Sequence, residues 1–308
     1  MTIKIRYLVF TVAVWMVSSV ASAEPLKLVK LDKAVYAIVG ETTDRTPENL
    51  GNNATFGFVI GQKGVALIDA GGSYQGAKAI EAMVRTVTHK PILYVINTGG
   101  QDHRWLGSGY FSQQGATIIA SQAADKDHKA RLNQQMSRLQ MLVGSKGMAG
   151  TKAKYADKTF AKSMTLDLGN IKLYLHHVAP AHTPGDAFVW IPSHGILFSG
   201  DIVYVDRMLG VMPYSNTMGW LESFQAIADR HPRVIVPGHG APTTLAKAKK
   251  DTYDYLVYLR QSVRAFMDGG GDISDIRQVD QSAYQYLKNF DSLSGLNAQQ
   301  VYTELEFE

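Results

Sequence analysis

The chain of 308 residues contains no cysteine. That excludes disulfides, a thiolate nucleophile and any Cys-ligated metal site. A Cys-free chain also suits an oxidising compartment. Charge of one sign is scarce: 31 Lys and Arg face 27 Asp and Glu, a formal +4. No long basic block is present, so nucleic-acid binding has no support. Long apolar runs are missing too, apart from Tyr7 to Val20. That run follows Lys4 and Arg6 and precedes Ala21-Ser22-Ala23, the pattern of a secretory signal cleaved after residue 23. It is shorter than the roughly 20 residues a spanning helix needs. The expectation is an exported soluble chain, periplasmic or secreted, with no membrane association after cleavage. Loss of Lys4 and Arg6 takes two positive charges with it and leaves the chain close to neutral.

What remains is long enough for one full core with an appendix. "KAVYAIVG" (33–40) alternates and reads as a strand. "ATFGFVIGQKGVALIDAGGS" (54–73) holds two apolar runs around "GQKG", a hairpin signal. In 74–90, Ile80, Met83, Val84 and Val87 share one face of a helix. "PILYVIN" (91–97) and "GATIIAS" (115–121) read as further strands. Residues 121–162 are polar and rich in Gln, Lys and Met, predicting a helix over 122–143 and then a flexible connection. That segment is suited either to capping a cleft or to lying on the surface. Strands resume to "DAFVWIPSHGILFSGDIVY" (186–204), a helix spans about 218–230, and "RVIVPGHG" (233–240) ends the strand pattern. Residues 244–271 are helical, followed by two short amphipathic pieces. Strand, helix and strand in succession give a layered α/β class. The layout of the first half recurs in the second, which points to two similar halves packed together.

The acids and imidazoles fall at strand ends. Asp69 ends "VALIDAG", Asp102 and His103 follow "PILYVINTGGQ", His182 sits in "APAHTPGD", Asp201 ends "ILFSGD" and His239 ends "VIVPGHG". Turns at one sheet edge bring distant residues to one point. Imidazole and carboxylate are what a divalent ion takes when thiolate is absent.

Taken together, "FVIGQKGVALIDAG", "YVINT", "DH", "AHTPGD", "ILFSGD" and "VPGHG" resemble the successive motifs of the metallo-β-lactamase fold superfamily, over about 33–245. The resemblance implies an αββα four-layer sandwich with a one- or two-metal hydrolytic site at one edge. It divides the chain into a signal (1–23), the metallo-β-lactamase-like domain (24–245) and a C-terminal helical extension (246–308). It implies that His182, Asp201 and His239 belong to the metal set, with Asp201 bridging two ions. Asp69 would be the buried residue that holds the motif loop.

The family pattern after "NT" is His-x-His-x-Asp-His, whereas this chain reads Gly99-Gly100-Gln101-Asp102-His103. Two registers are open. With one residue deleted, Asp102 and His103 match the family's Asp-His, and one ion takes Asp102, His103 and His239 with Asp201. With nothing deleted, Gly107 keeps its spacing, Gly99 and Gln101 replace the histidines, His103 replaces the Asp and Arg104 the last His. Arg cannot ligate a metal, so its guanidinium would stand in an ion's place. The first register is favoured because it keeps the Asp-His pair and places no cation at a ligand position.

The expected function is a hydrolase of an ester, thioester, amide or lactam-type bond acting through a metal-bound hydroxide, with an incomplete first metal site. One zinc is expected, manganese or iron being acceptable substitutes, and a second ion would be weak. By resemblance Asp102 would orient the hydroxide; Arg104 and Gln101 would hold a small-molecule substrate. Trp105 is either a stacking platform or core, and one of His176 and His177 has the alternation to reach the cleft. The competing reading is a metal-poor, non-catalytic protein that keeps the fold and binds a small anion at Arg104. Oligomeric state is not legible.

Overall fold

The computed structural model describes residues 26–308, so the signal-type segment 1–23 lies outside the described residues. The first half of the chain builds a seven-stranded sheet in sequential order: β1 (Leu26–Lys30), β2 (Val35–Gly40), β3 (Thr55–Ile60), β4 (Val65–Ile68), β5 (Ile92–Asn97), β6 (Thr117–Ser121) and β7 (Lys158–Phe160). Strands β1 to β4 pair antiparallel and β4 to β7 parallel. The second half builds a five-stranded sheet from β8 (Ser163–Asp167), β9 (Lys172–His176), β10 (Phe188–Ile191), β11 (Ile196–Phe198) and β12 (Val234–Val236). Only β11 and β12 pair in parallel there.

Alternation along the strands sorts the side chains into layers. Val35, Ala37, Val59, Ala66, Ile68 and Ile96 of the first sheet meet Leu173, Leu175, Val189, Ile191, Ile196 and Phe198 of the second. The opposite face of the first sheet, with Ile38, Phe56, Phe58 and Leu67, is covered by α1 (Tyr74–Arg85) through Ala77, Ile80 and Val84. Two short helices, α2 (Asp102–Trp105) and α3 (Ser108–Ser112), follow β5. The long α4 (Gln122–Met148) starts at a Ser121 cap and is broken at Gly144, whose φ is +69°. The second sheet's outer face packs on α5 (Thr217–Ala228), through Trp220 and Phe224. The layers are therefore helix, sheet, sheet, helix, as the resemblance implied.

The C-terminal part begins with α6 (Leu245–Ala248) and, after one π-type turn, α7 (Asp254–Asp268). Two 3₁₀ turns lead into α8 (Phe290–Glu306). Instead of ending in two short pieces, the chain closes with a 17-residue helix. Tyr255, Leu256, Leu259, Val263, Ala298 and Val301 join the same apolar cluster as α5. Two strands escaped the sequence reading, β1 and β7. β7 is a three-residue edge strand inside the polar stretch, where two of the three side chains are exposed and no apolar alternation develops. No helix of the described residues is long and apolar enough to cross a membrane.

Gly57 of the first sheet lies directly against Phe198 of the second. A Cβ there would overlap the Phe198 ring and lie 2.7 Å from the Tyr36 carbonyl oxygen. Gly57→Ala should destabilise the protein by about 1–3 kcal/mol through overpacking, seen as a lower urea midpoint with an unchanged far-UV spectrum.

Candidate functional site

Strand ends from both sheets meet at one buried side chain, Arg104. Its guanidinium has five N–H donors, and each finds an acceptor. Nη1 donates to Asp69 Oδ2 (2.9 Å) and to the Thr55 carbonyl oxygen (3.0 Å). Nη2 donates to Asp201 Oδ1 (2.6 Å) and to the Gly238 carbonyl oxygen (2.8 Å), and Nε to Asp201 Oδ2 (3.2 Å). The side chain is 0% exposed. Asp69 has φ +66° at the end of β4, and it also accepts from the Thr98 amide at 2.7 Å, which fixes the loop after β5. Gly107 is forced by contact: a Cβ there would overlap the Ala70 carbonyl oxygen.

On α2, His103 precedes Arg104 and points the other way, into a cavity of about 290 Å³. There it joins Asp201 and His239, and one ligand atom from each of the three lies within 4.8 Å of the others. His103 Nε2 is 3.3 Å from Asp201 Oδ2, and His239 Nε2 is 3.3 Å from Asp201 Oδ1. His239 Nδ1 sits 2.8 Å from the Asn53 carbonyl oxygen. That oxygen only accepts, so the proton belongs on Nδ1 and the lone pair on Nε2. Burial, then Arg207, hold His239 neutral, far below the usual imidazole range. Burial alone would raise Asp201, but Arg104 and His103 outweigh it and keep the carboxylate ionised.

These residues fit a single divalent ion. Two imidazoles and a carboxylate are an acceptable donor set. His103 Nε2 is buried and has no hydrogen-bond partner. Because Arg45 Nη2, a donor, lies 2.6 Å from His103 Nδ1, Nε2 carries a proton in the metal-free protein, and an ion would take that proton's place. His182 also lines the cavity. Its Nδ1 is 2.9 Å from the Gly210 carbonyl oxygen, which leaves Nε2 as the lone-pair nitrogen. Burial lowers it to about 4.

Other expected site residues take different places. Asp102 does not join the His103–Asp201–His239 group. It pairs with Arg45 Nη2 at 2.5 Å and accepts from the His103 amide at 2.7 Å. Its carboxyl lies below the ordinary range because Arg45 and His103 overcome the effect of burial. Arg104 is saturated beneath the site, with no donor left for a substrate. This placement follows the undeleted register, in which His103 stands at the family's Asp. Gln101 lines the cavity and accepts from the Tyr214 hydroxyl at 3.2 Å. Gly99 leaves no room for a longer residue, since a Cβ there would overlap Asp186 Oδ1. Burial, helped by the charge of Asp201, pushes the Asp186 carboxyl up to about 8.

Trp105 is core: fully buried, it donates to Gln135 Oε1 at 2.8 Å and stacks on His128. His176 stacks on Phe188, and His177 Nδ1 lies 2.8 Å from the Asp186 carbonyl oxygen. The sequence reading missed Arg45, Arg138 and Arg207, which all line the cavity. Arg45 belongs to the polar 40–53 loop and Arg207 follows "SGDIVYVD". Their proximity to the strand ends was the one available signal.

A family profile described as the metallo-beta-lactamase superfamily matches residues 51–239. A type 2 metallo-beta-lactamase of Elizabethkingia meningoseptica is 23% identical over 219 residues, 68% of this chain and 78% of that protein. An acyl-coenzyme A thioesterase of Gallus gallus, MBLAC2, is 36% identical over 78 residues, 24% of this chain and only 28% of the thioesterase. Among solved structures, a metallo-beta-lactamase from Pontibacter korlensis superposes with TM-score 0.59 at 19% identity, covering 73% of this chain and 95% of that one. A sec-alkylsulfatase from Pseudomonas sp. reaches 0.68 at 14% identity, covering 91% and 50%. At these identities the structural likeness concerns the fold.

Two outcomes follow from the buried charges. Arg104→Met should cost about 3–5 kcal/mol, because it strands two buried carboxylates; urea unfolding at pH 7 measures it. His128 and His182 are held to about 4, and His239 well below the usual range, mainly by burial, so below pH 6.5 the unfolded chain takes up three protons that the fold refuses. Asp186, raised to about 8, and Asp69, raised by burial, oppose this with at most two protons held by the fold. The net sign is loss of stability on acidification from pH 6.5 to 4.5. The melting temperature of metal-free protein should fall across that range, and the slope should be shallower in His128→Gln.

Proposed function

The chain belongs to the metallo-beta-lactamase superfamily, and from that premise we propose that it is an exported, metal-dependent hydrolase working with one divalent ion, zinc in the first instance. Its bond class is an ester, thioester, amide or lactam. The observation that carries this reading is the buried, partnerless Nε2 of His103 beside Asp201 and His239. His103, Asp201 and His239 would hold the ion. A divalent ion in such a setting polarises a carbonyl or phosphoryl oxygen and lowers the pKa of water toward about 7.

The chain's own groups prepare the rest. The Asn53 carbonyl oxygen orients His239, and Arg104 fixes both oxygens of Asp201. His182 stays neutral at pH 7 and presents Nε2 to the cavity as an acceptor for a water proton. Tyr214 occupies the Gln101 carbonyl oxygen, which leaves the Gln101 amide N–H to donate to a substrate oxygen. A second ion has little to hold it, because Gly99 offers no side chain and His182 stands without an imidazole neighbour from the 99–101 segment. True lactamase activity is disfavoured for the same reason. The alternative, a non-catalytic anion-binding protein, loses the Arg104 contact it relied on.

Elemental analysis of protein purified without chelators should give close to one equivalent of metal per chain. His103→Ala and His239→Ala should each remove it, while Asp102→Ala should keep one equivalent at saturating zinc. A chain that stays empty after incubation with zinc, manganese or iron is not the enzyme proposed.

A further inference from the structure

Among the described residues, five buried side-chain nitrogens and oxygens lack a hydrogen-bond partner: Arg45 Nε, Asn53 Oδ1, His103 Nε2, His128 Nδ1 and Arg207 Nε. All but His128 line the same cavity. Unmade hydrogen bonds are costly when buried, so their collection around one space marks a ligand-binding surface rather than scattered packing faults. A metal ion answers for His103 alone.

The two arginines call for a different partner. Arg45 Nη2 is engaged by Asp102 and by His103 Nδ1, but its Nε is orphaned. The Arg207 side chain is only 11% exposed, and its one carboxylate contact, Asp44 Oδ1 at 3.6 Å, is 82% exposed. It donates to the Thr43 carbonyl oxygen at 3.3 Å, and its approach to His239 Nδ1, also at 3.3 Å, meets a nitrogen that already carries a proton. Asp201 already has both oxygens bonded to Arg104 and makes no hydrogen bond or ion pair with Arg207. Compensation of protein acids therefore does not account for Arg207, and a buried cation without a buried anion is unfavourable. Arg138 adds a third guanidinium to the same lining.

The same lining also has apolar members: Leu293 and Leu296 of α8, Leu142 of α4, and Met208 and Met212 of the loop after Asp201. Leu296 is 53% exposed, at the mouth. α8 is anchored there: the buried Asn297 side chain donates to the Leu209 carbonyl oxygen and accepts from the Val211 amide, both at 2.8 Å. It thus holds the segment that carries Arg207.

We infer that the substrate is a small amphiphilic anion, its carboxylate or sulfate-type oxyanion seated between Arg45 and Arg207 and its apolar part against α8 and Leu142. This deepens the proposed function by assigning the substrate class of that cavity. It also makes the C-terminal helix part of the binding site. Guanidinium forks match planar and tetrahedral oxyanions alike, so the shared chemistry is an oxyanion with an apolar tail.

Calorimetric titration of the full, metal-free chain with hexanoate, hexyl sulfate and hexan-1-ol tests this without any need for activity. At least one anion should bind about tenfold tighter than the alcohol, the difference expected of one charge-assisted contact. Binding of hexanoate alone identifies a carboxylate, and of hexyl sulfate alone a tetrahedral head. Arg207→Gln should erase the preference and Arg207→Lys should restore part of it. Leu296→Gln, a neutral change at an exposed position, should weaken hexanoate or hexyl sulfate but not acetate or sulfate. Equal affinity for anion and alcohol in the unaltered protein, or an unchanged preference in a folded Arg207→Gln, overturns the inference. The wild-type comparison decides even if the variants fail to fold. An empty metal site with anion preference intact would defeat the hydrolase reading and leave this one standing.

Discussion

Arg104 is the constraint around which the site is organised. Its five donors reach the start of β3, the end of β4, the turn after β11 and the turn after β12. Those elements come from both sheets, so one side chain closes the edge of the sandwich where the functional loops emerge. The charge arithmetic explains its permanence. Asp69 and Asp201 are buried and close to one another, and neither tolerates burial as an unpaired anion. A planar, always-charged fork is the group that satisfies both with backbone carbonyls besides. Successive residues on a helix point about 100° apart. With Arg104 committed inward, its neighbour His103 is turned toward the cavity.

The same geometry explains the altered 99–101 segment. Three groups of α4 press on it. His128 Nε2 lies 3.0 Å from the Gly99 carbonyl oxygen, and Gln135 and Arg131 donate to the Gly100 carbonyl oxygen at 2.7 and 3.1 Å. Asp186 fills the place where a side chain of residue 99 would start. The space that a histidine at position 99 would need is occupied by Asp186, while Gln101 stands in the other histidine's place and lines the cavity. α4 is accordingly a structural backing for the motif loop over its first half, and a wall of the cavity at Arg138 and Leu142. The two uses proposed for that segment, cap or surface, are both too simple.

Much of the fold was legible because burial on both sheet faces imposes period-two patterns and because α1 shows a clear apolar stripe. The strand-end positions of Asp69, His182, Asp201 and His239 were legible for the same reason: the runs before them read as strands. The choice between Asp102 and His103 was not. Ligand chemistry favoured keeping the pair, but helix α2 separates them, and Arg45, 57 positions earlier in the chain, captures Asp102. A loop arginine far away in sequence carries no periodicity to announce it. Arg207 and the wall from α8 were hidden likewise, since long-range contacts made by loops and by an appended helix leave no local pattern.

Charge links these features. Around the ion position, Arg104 offsets only one of the two buried carboxylates Asp69 and Asp201, which leaves one negative charge for a divalent ion. A loaded site would then carry a net positive charge, and Arg207 adds to it with only an exposed acid nearby. A second divalent ion beside His182 would raise that charge further against Arg45 and Arg138, in a cavity with low-dielectric walls where like charges repel strongly. The replacement of the two histidines by Gly99 and Gln101 and the presence of the three arginines are thus mutually consistent. In the proposed one-ion site, guanidinium groups fixed to the chain would supply positive charge that a second ion would otherwise bring.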